Sequence, residues 1–454
     1  MNIMSAPRKS VYDVENTAVE PSKEIERFER SLLGLPRAHH ADEATIMRRL
    51  SQLDLNEKVG NNAKPNVNDD CKSDTSTASS DDSKSSRRCS LTQPRLKLED
   101  FEPVCQIGKG AFGDVFLVRM RRSKRLFAMK AMPKALLVRK KCVESSRIER
   151  DVMRVVNHPF IVQLRFSFQT NRKVYLIMDY VSGGDLFDRI PLRESHAKVF
   201  AAELVLALEY LHDNDILYRD LKPENCLLTS DGHVCLTDFG LAKVDFCAAS
   251  TTRSFCGTLN FMAPEVVNRS LPYGQPADWW ALGCLIHEMV TGHAVFPGKD
   301  EHKVKQRIVS GKIKMRNGLT PELRSLLKLL LTRDPNRRAK AQQIKQHLWF
   351  CDINWKSVEK KKIPPPLGRP QDALTEDSDT RFFERAIEEH FGDAAAARAA
   401  IKTAFTPTTP QLGPLSPSIQ AQFAGFSYVN ESFLSPLNVD GSSDEQPFIP
   451  SPSS

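Results

Sequence analysis

A glycine-rich octapeptide set between two apolar, β-prone runs restricts this chain more than any other feature. Gly108-Lys109-Gly110-Ala111-Phe112-Gly113-Asp114-Val115 follows the run from Phe101 to Ile107 and leads into the run from Val115 to Val118. Glycines at this spacing let backbone amides approach phosphate oxygens with no Cβ in the way. A dinucleotide fold would follow its first strand directly with a helix. A second strand follows here, so that reading falls, while an ordinary hairpin turn stays open for the octapeptide taken alone.

The next constraint is Lys130, in Phe127-Ala128-Met129-Lys130, a cation inside the apolar run from Leu126 to Met132. Burying an ammonium is expensive unless an anion meets it. Glu149, in the helical pattern from Glu144 to Val156, is the candidate partner, and Lys130 so oriented could hold the α- and β-phosphates of a nucleotide. Two further strand-like runs follow, Ile161 to Phe168 and Val174 to Tyr180. Beyond Gly183 the patterns are mostly helical, notably Ser195 to Asp213 and Ala277 to Thr291. A small antiparallel sheet with one helix, then a larger helical part, predicts an α+β chain with two lobes, a β-rich N-lobe and a helical C-lobe.

Between those helical patterns lies Tyr218-Arg219-Asp220-Leu221-Lys222-Pro223-Glu224-Asn225, and then Asp238-Phe239-Gly240. So dense a polar run between apolar ones is costly to bury without charged ligands. Chemistry is the economical explanation, while a chance surface turn stays open for either piece taken alone. Asp220 can accept a hydroxyl proton, Lys222 can steady the transferring group, and Asn225 and Asp238 offer hard oxygen ligands for Mg²⁺.

Composition divides the 454 residues. Residues 99–350 carry the apolar runs, and the flanks are rich in Ser, Asp, Asn, Pro and Ala, burying too little apolar surface to offset chain entropy. The expected layout is a disordered N-terminal extension (1–98), a catalytic domain (99–350), a C-terminal extension (351–430) and a disordered tail (431–454). Within the first flank, Ile25, Phe28, Leu32 and then Ile46, Leu50, Leu53 form short helical patterns, read as transient helices or a docking element. Arg87-Arg88-Cys89-Ser90 reads as a basophilic phosphorylation site or as a chance string. The formal charge of +8 is dispersed, which argues against a nucleic-acid partner. No run suits a membrane span or a signal peptide, and the cysteines stand singly, without zinc spacing. A soluble protein with reduced thiols is expected, cytoplasmic with a nuclear fraction allowed.

Taken in order, these motifs resemble the signature set of the eukaryotic protein kinases, over about 250 residues that also include Ala263-Pro264-Glu265, Asp278-Trp279-Trp280 and Arg338. The resemblance implies that Glu265 pairs with Arg338 and that Asp278 anchors the catalytic loop. Tyr218, Ser254-Phe255-Cys256-Gly257-Thr258 and the tail string Phe423-Ala424-Gly425-Phe426-Ser427-Tyr428 are similar to the AGC group, near the ribosomal S-six and serum/glucocorticoid-regulated kinases. It implies an ATP- and Mg²⁺-dependent serine/threonine protein kinase in growth, nutrient or stress signalling. ATP would touch Ile107, Gly108, Lys109, Gly110, Ala111, Gly113, Val115 and Lys130. Met178 would back the adenine, with Asp179 to Val181 as hinge and Asp185 on the ribose.

The same resemblance implies control and specificity. Phosphorylated Ser254 would pair with Arg219, and phosphorylated Ser427 would bind basic residues near the small-lobe helix while Phe423 and Phe426 enter a groove. Thr409 is the turn-motif site, with Thr406 competing and Ser416 a further proline-directed serine. Glu224 and Glu288, with Asp185, would receive arginines of the substrate peptide. The implied partners are basic protein substrates and upstream activating kinases, and the expected state is a monomer. The start of the large lobe after Phe187 is shorter than in those groups, and residues 379–402 form a helix-like insertion. A kinase-fold scaffold with idle chemistry and a small-molecule kinase are the competing readings; the presence of Lys130, Asp220, Asn225 and Asp238 weighs against the first, and the long activation segment against the second.

Overall fold

The β-branched and aromatic residues that open the apolar region form an antiparallel meander: β1 (Phe101–Lys109), β2 (Asp114–Met120) and β3 (Leu126–Pro133). The computed structural model describes residues 96–368 except 245, 248, 269 and 270, together with 405 and 415–430. The N-terminal helical patterns, Ser90, the insertion at 379–402, Thr406 and Thr409 lie outside the described residues. After β3 come the helices α1 (Lys134–Arg139) and α2 (Val143–Val155), then β4 (Leu164–Gln169) and β5 (Lys173–Asp179). The strand order is β1-β2-β3-β5-β4-β8, where β8 (Tyr428–Val429) comes from the tail. β8 pairs with β4 through Tyr428 to Ser167 and Val429 to Phe166, closing an edge that would otherwise expose unpaired backbone.

The fourth strand is shorter than its apolar run suggests. Ile161 leaves the sheet and forms an isolated bridge with Leu236 instead. Phe101, Phe127, Phe166 and Phe168 gather on one face of the sheet, with Phe101 stacked on Phe168 at 5.9 Å and edge-on to Phe127 at 6.5 Å. On α2, Glu149, Val152 and Met153 recur at helical spacing and are buried, so this face turns its one carboxylate inward.

The larger lobe begins with one 3-10 turn, Phe187–Arg189, ahead of α3 (Glu194–Asp213). A two-stranded hairpin, β6 (Cys226–Leu228) and β7 (Val234–Leu236), follows the polar run and is tied to α3. His233 Nδ1 meets Glu203 Oε1 at 2.6 Å and the Val234 amide donates to Glu203 Oε2 at 2.8 Å. Next come α4 (Pro264–Val267) and α5 (Pro276–Thr291), whose apolar residues point in all directions because the helix is buried on all sides. α6 (Glu301–Ser310), α7 (Pro321–Leu330), α8 (Ala341–Lys345) and α9 (Trp355–Glu359) complete the lobe, and α10 (Pro417–Ala421) lies in the tail. The sheet-bearing and helical lobes are those expected of the α+β reading.

Arg338 holds this lobe together from inside. Its guanidinium forks onto Glu265 at 2.6 and 2.8 Å, donates to the Pro276 carbonyl at 2.7 Å and lies over the Trp280 ring. Both partners of the ion pair are buried. Arg338→Ala therefore strands a buried carboxylate, a loss of about 3–5 kcal/mol. At the usual 2–4 °C per kcal/mol for a domain of this size, the thermal midpoint should fall by roughly 10 °C. Differential scanning fluorimetry checks this, and a fall under about 2 °C would show the pair to be dispensable.

Candidate active site

Chain turns and strand ends from both lobes meet at one cleft. The turn between β1 and β2 is closed by the Gly110 amide donating to the Gly113 carbonyl at 2.8 Å. Ile107, Gly108, Gly110, Ala111 and Val115 line the cleft. Lys109 is exposed and does not line the cleft. Gly113 has a different task from phosphate approach: a Cβ there would stand 2.1 Å from the Ala131 carbonyl oxygen, so glycine lets β2 close on β3. A residue not singled out from sequence, Lys140 at the end of α1, donates to the Ala111 carbonyl at 2.8 Å and lies over the Phe112 ring, pinning the tip of the turn.

Lys130 in β3 is the ion-paired cation its setting demands. Its Nζ lies 2.5 Å from Glu149 Oε1 on α2 and 3.2 Å from Asp238 Oδ1. Burial alone would lower the Lys130 pKa, but Asp238 and Glu149 outweigh it and hold the group protonated. The charge of Lys130 in turn depresses the Asp238 pKa, while burial pushes Glu149 up against the pull of Lys130. Asp238 remains half exposed, with 46% of its side chain open. It has a positive φ of 58°, as Arg219 has 73°, conformations uncommon outside glycine that cluster at functional sites.

The loop before β6 is anchored from below by Asp278 on α5. Its carboxylate accepts from the Tyr218 amide at 3.0 Å and the Arg219 amide at 2.9 Å, and meets His212 Nε2 at 2.8 Å. With the loop so fixed, Asp220 faces the cleft and is held on three sides. Lys222 Nζ lies 2.6 Å from its Oδ2, the Thr258 hydroxyl donates to Oδ1 at 2.9 Å, and Asn225 Nδ2 donates to Oδ2 at 3.1 Å. Burial raises the Asp220 pKa, against the opposing effect of Lys222. Sequence reasoning missed the parts played by Thr258 and His212, since neither contact follows from spacing along the chain.

The cleft could take a nucleotide. Met178, Asp179 and Val181 line it, and Ala128 and Leu227, not anticipated, add apolar wall. The Asp179 amide is engaged by the Gln163 carbonyl at 3.1 Å and its carboxylate by the Arg165 fork at 2.7 and 2.6 Å. Asp185 is not part of the cleft wall; it bridges to Leu227 and accepts from the Asp188 amide at 3.1 Å. Asp238 and Asn225 offer a carboxylate and an amide oxygen, the donor types Mg²⁺ prefers. No group of three or more His, Cys, Asp or Glu is set to hold a metal among the described residues. Mg²⁺ needs none, because it takes most of its ligands from phosphate and water.

Around the cleft, Arg219 Nη1 donates to the Ser254 hydroxyl at 2.6 Å, and Tyr273 donates to the Ser254 carbonyl at 2.7 Å. Glu224 is half buried next to Asn225, and Glu288 is 3% exposed within α5. In the tail, Phe423 and Phe426 are fully buried and Ser427 is exposed. Ser167 Oγ donates to the Phe426 carbonyl at 2.7 Å and Gln169 Nε2 to the Phe423 carbonyl at 2.8 Å. Arg150 Nη1 donates to the Gly425 carbonyl at 2.6 Å and Arg147 to the Gln422 carbonyl.

A lysine paired to a helix glutamate, a loop aspartate steadied by a second lysine, and a carboxylate and an amide at the cleft mouth are the parts of a phosphoryl-transfer site. The chain belongs to the protein kinase family, whose protein kinase domain matches residues 101–350. Within that family it falls in the AGC group of serine/threonine protein kinases. It is 40% identical over 348 residues to serine/threonine-protein kinase SCH9 of Candida albicans, covering 74% of this chain and 43% of that protein. It is 39% identical over 349 residues to the RAC family serine/threonine-protein kinase homolog of Dictyostelium discoideum, covering 74% of each. Human ribosomal protein S6 kinase alpha-2 is 41% identical over 350 residues, 74% of this chain and 44% of that protein. The chain thus spans less than half the length of the Candida albicans and human relatives. Among the described residues no helix is long and apolar enough to cross a membrane, and the cysteines carry free thiols.

Proposed function

We propose that the protein transfers the terminal phosphoryl group of ATP to serine and threonine hydroxyls of protein substrates with upstream basic residues, using Mg²⁺. The observation that carries this reading is the simultaneous placement of Lys130 between Glu149 and Asp238 and of Asp220 between Lys222 and Thr258. Lys130 binds the α- and β-phosphates, and Gly108, Gly110 and Ala111 cover them. Asn225 and Asp238 hold Mg²⁺, which when bound neutralises charge on the phosphates. Asp220 orients the acceptor hydroxyl and takes its proton, and Lys222 stabilises the charge that develops on the group in flight. Burial of Asp220 favours this step by making its carboxylate a stronger base than an exposed one.

Control by phosphorylation fits the same geometry. A phosphate on Ser254 would meet the guanidinium already bonded to its hydroxyl, fixing the activation segment against the loop that carries Asp220. A phosphate on exposed Ser427 would lie in the field of Arg147 and Arg150, which already grip the neighbouring carbonyls. Upstream kinases acting on both sites, and growth, nutrient or stress signalling in the cytoplasm and nucleus, complete the proposal. Thr409 is the proposed turn-motif site.

The test is phosphorylation of a positional-scanning peptide array with ATP and Mg²⁺. Arginine a few positions before the acceptor should raise incorporation roughly tenfold over alanine, the value of one charge-assisted pair. Uniform incorporation would remove the basic preference. Glu224 is the first acid to exchange for glutamine, since burial of Glu288 places it less accessibly.

A further inference from the structure

Lys134 opens α1 with only 1% of its surface exposed, although an ammonium is costly to bury unpaired. Among the described residues no carboxylate meets it. Its Nζ donates instead to two neutral amide oxygens, Gln169 Oε1 at 2.8 Å and Gln420 Oε1 at 2.7 Å, and lies over the Phe423 ring at 5.1 Å. Burial holds its pKa below that of an ordinary lysine. Two of these three partners come from the tail. Gln420 is engaged at both ends, because its Nε2 donates to the Asn171 carbonyl at 2.6 Å. The flipped amide would set its NH₂ against the ammonium and its oxygen against a carbonyl, so the arrangement suits one side chain in one orientation.

We propose that the buried ammonium of Lys134 is a recognition site for the Gln420 side chain, so that the groove selects tails carrying a hydrogen-bond acceptor at that position as well as the two phenylalanines. The groove with its tail removed would keep the ammonium but lose Gln420 and the Phe423 ring. A tail with an apolar residue at position 420 would then have to cover the charge without satisfying it, a penalty that the phenylalanines alone do not impose. This extends the clamp reading to its specificity and rests on that reading.

Hydrogen exchange in the intact chain tests it, read at the Asn430 amide, which donates to the Arg165 carbonyl when the tail is docked. Gln420→Leu should speed exchange there about tenfold or more, because a buried donor loses a partner. Lys134→Met combined with Gln420→Leu should return exchange to within about threefold of wild type, since removing both partners of a polar pair leaves nothing unsatisfied. Gln169 and Asn171 are partly or fully exposed and can turn to water. Wild-type exchange in Gln420→Leu overturns the proposal, as does a double variant that exchanges as fast as the single one. Unchanged protection across α3 reports that the fold is kept. The readout registers docking whether or not the docked tail raises activity, so failure of the recognition and failure of the regulatory reading are distinguishable.

Discussion

Asp238→Asn is expected to lower peptide phosphorylation about a thousandfold while leaving the fold intact. The expectation follows from two features of the same side chain. Asp238 faces the cleft beside Lys130, where a negative oxygen would hold a divalent cation worth several kcal/mol of transition-state stabilisation, and each 1.36 kcal/mol is a factor of ten. It is also half exposed, so neutralising it leaves Lys130 still paired to Glu149 and strands no buried charge. The thermal midpoint should move by less than about 2 °C, the scale of a surface substitution. Lys130→Met is a poorer probe. It leaves Glu149, 2% exposed, without its cation, and so mixes lost chemistry with lost stability. Measurement is by incorporation of labelled phosphate into an arginine-bearing peptide at saturating ATP and Mg²⁺. Equal incorporation by wild type and Asp238→Asn would favour a scaffold on a kinase fold.

How much of this could be read from the chain depended on whether a contact is local. The first three strands follow from runs of β-branched and aromatic residues, and α3 and α5 from their apolar content and length. The helix α1 escaped because it has six residues, begins directly after a strand at Pro133 and has no side-chain cap to mark its start. The strands of the β6–β7 hairpin have three residues each, too few to show a period. In the site, Lys130, Glu149, Asp220 and Asp238 were legible because charge inside apolar sequence demands a partner, and Asn225 because it closes the same polar run. Thr258 on Asp220 and Lys140 on Ala111 were not, since an ordinary threonine and an ordinary exposed lysine acquire meaning only when folding brings them to their acceptors. Gly113 shows the converse. Its place in the motif was plain, but its task is set by the Ala131 carbonyl on a different strand. Gln420 is invisible for the same reason as Thr258, for its value depends on a lysine buried far away in sequence.

Phe426→Ala should release the tail and depress activity roughly ten- to a hundredfold. The ring is fully buried and lies under the Arg150 guanidinium at 5.1 Å. Removing it forfeits about 1.5–3 kcal/mol of burial, with up to roughly 1 kcal/mol more from the cation–π contact. That loss is comparable to what a short docked segment can have in hand, so the variant should populate mainly the undocked state rather than keep a cavity. With the tail gone, β4 loses its edge partner, and Arg147 and Arg150 lose the carbonyls they hold on the helix that carries Glu149. Glu149 would then position Lys130 less firmly, which is how a change in the groove would reach the cleft. Two consequences separate this route from simple destabilisation. The thermal midpoint of the large lobe should move less than that of the small lobe, because Phe426 is held by Arg150 and Ser167, both in the small lobe. Phe423→Ala combined with Phe426→Ala should be little worse than either alone, since a tail already released cannot be released twice. Steady-state phosphorylation of a peptide by the four proteins is the measurement. Additive losses would mean that each ring acts separately, and full activity in the double variant would mean that the docked tail has no part in holding Glu149 in place.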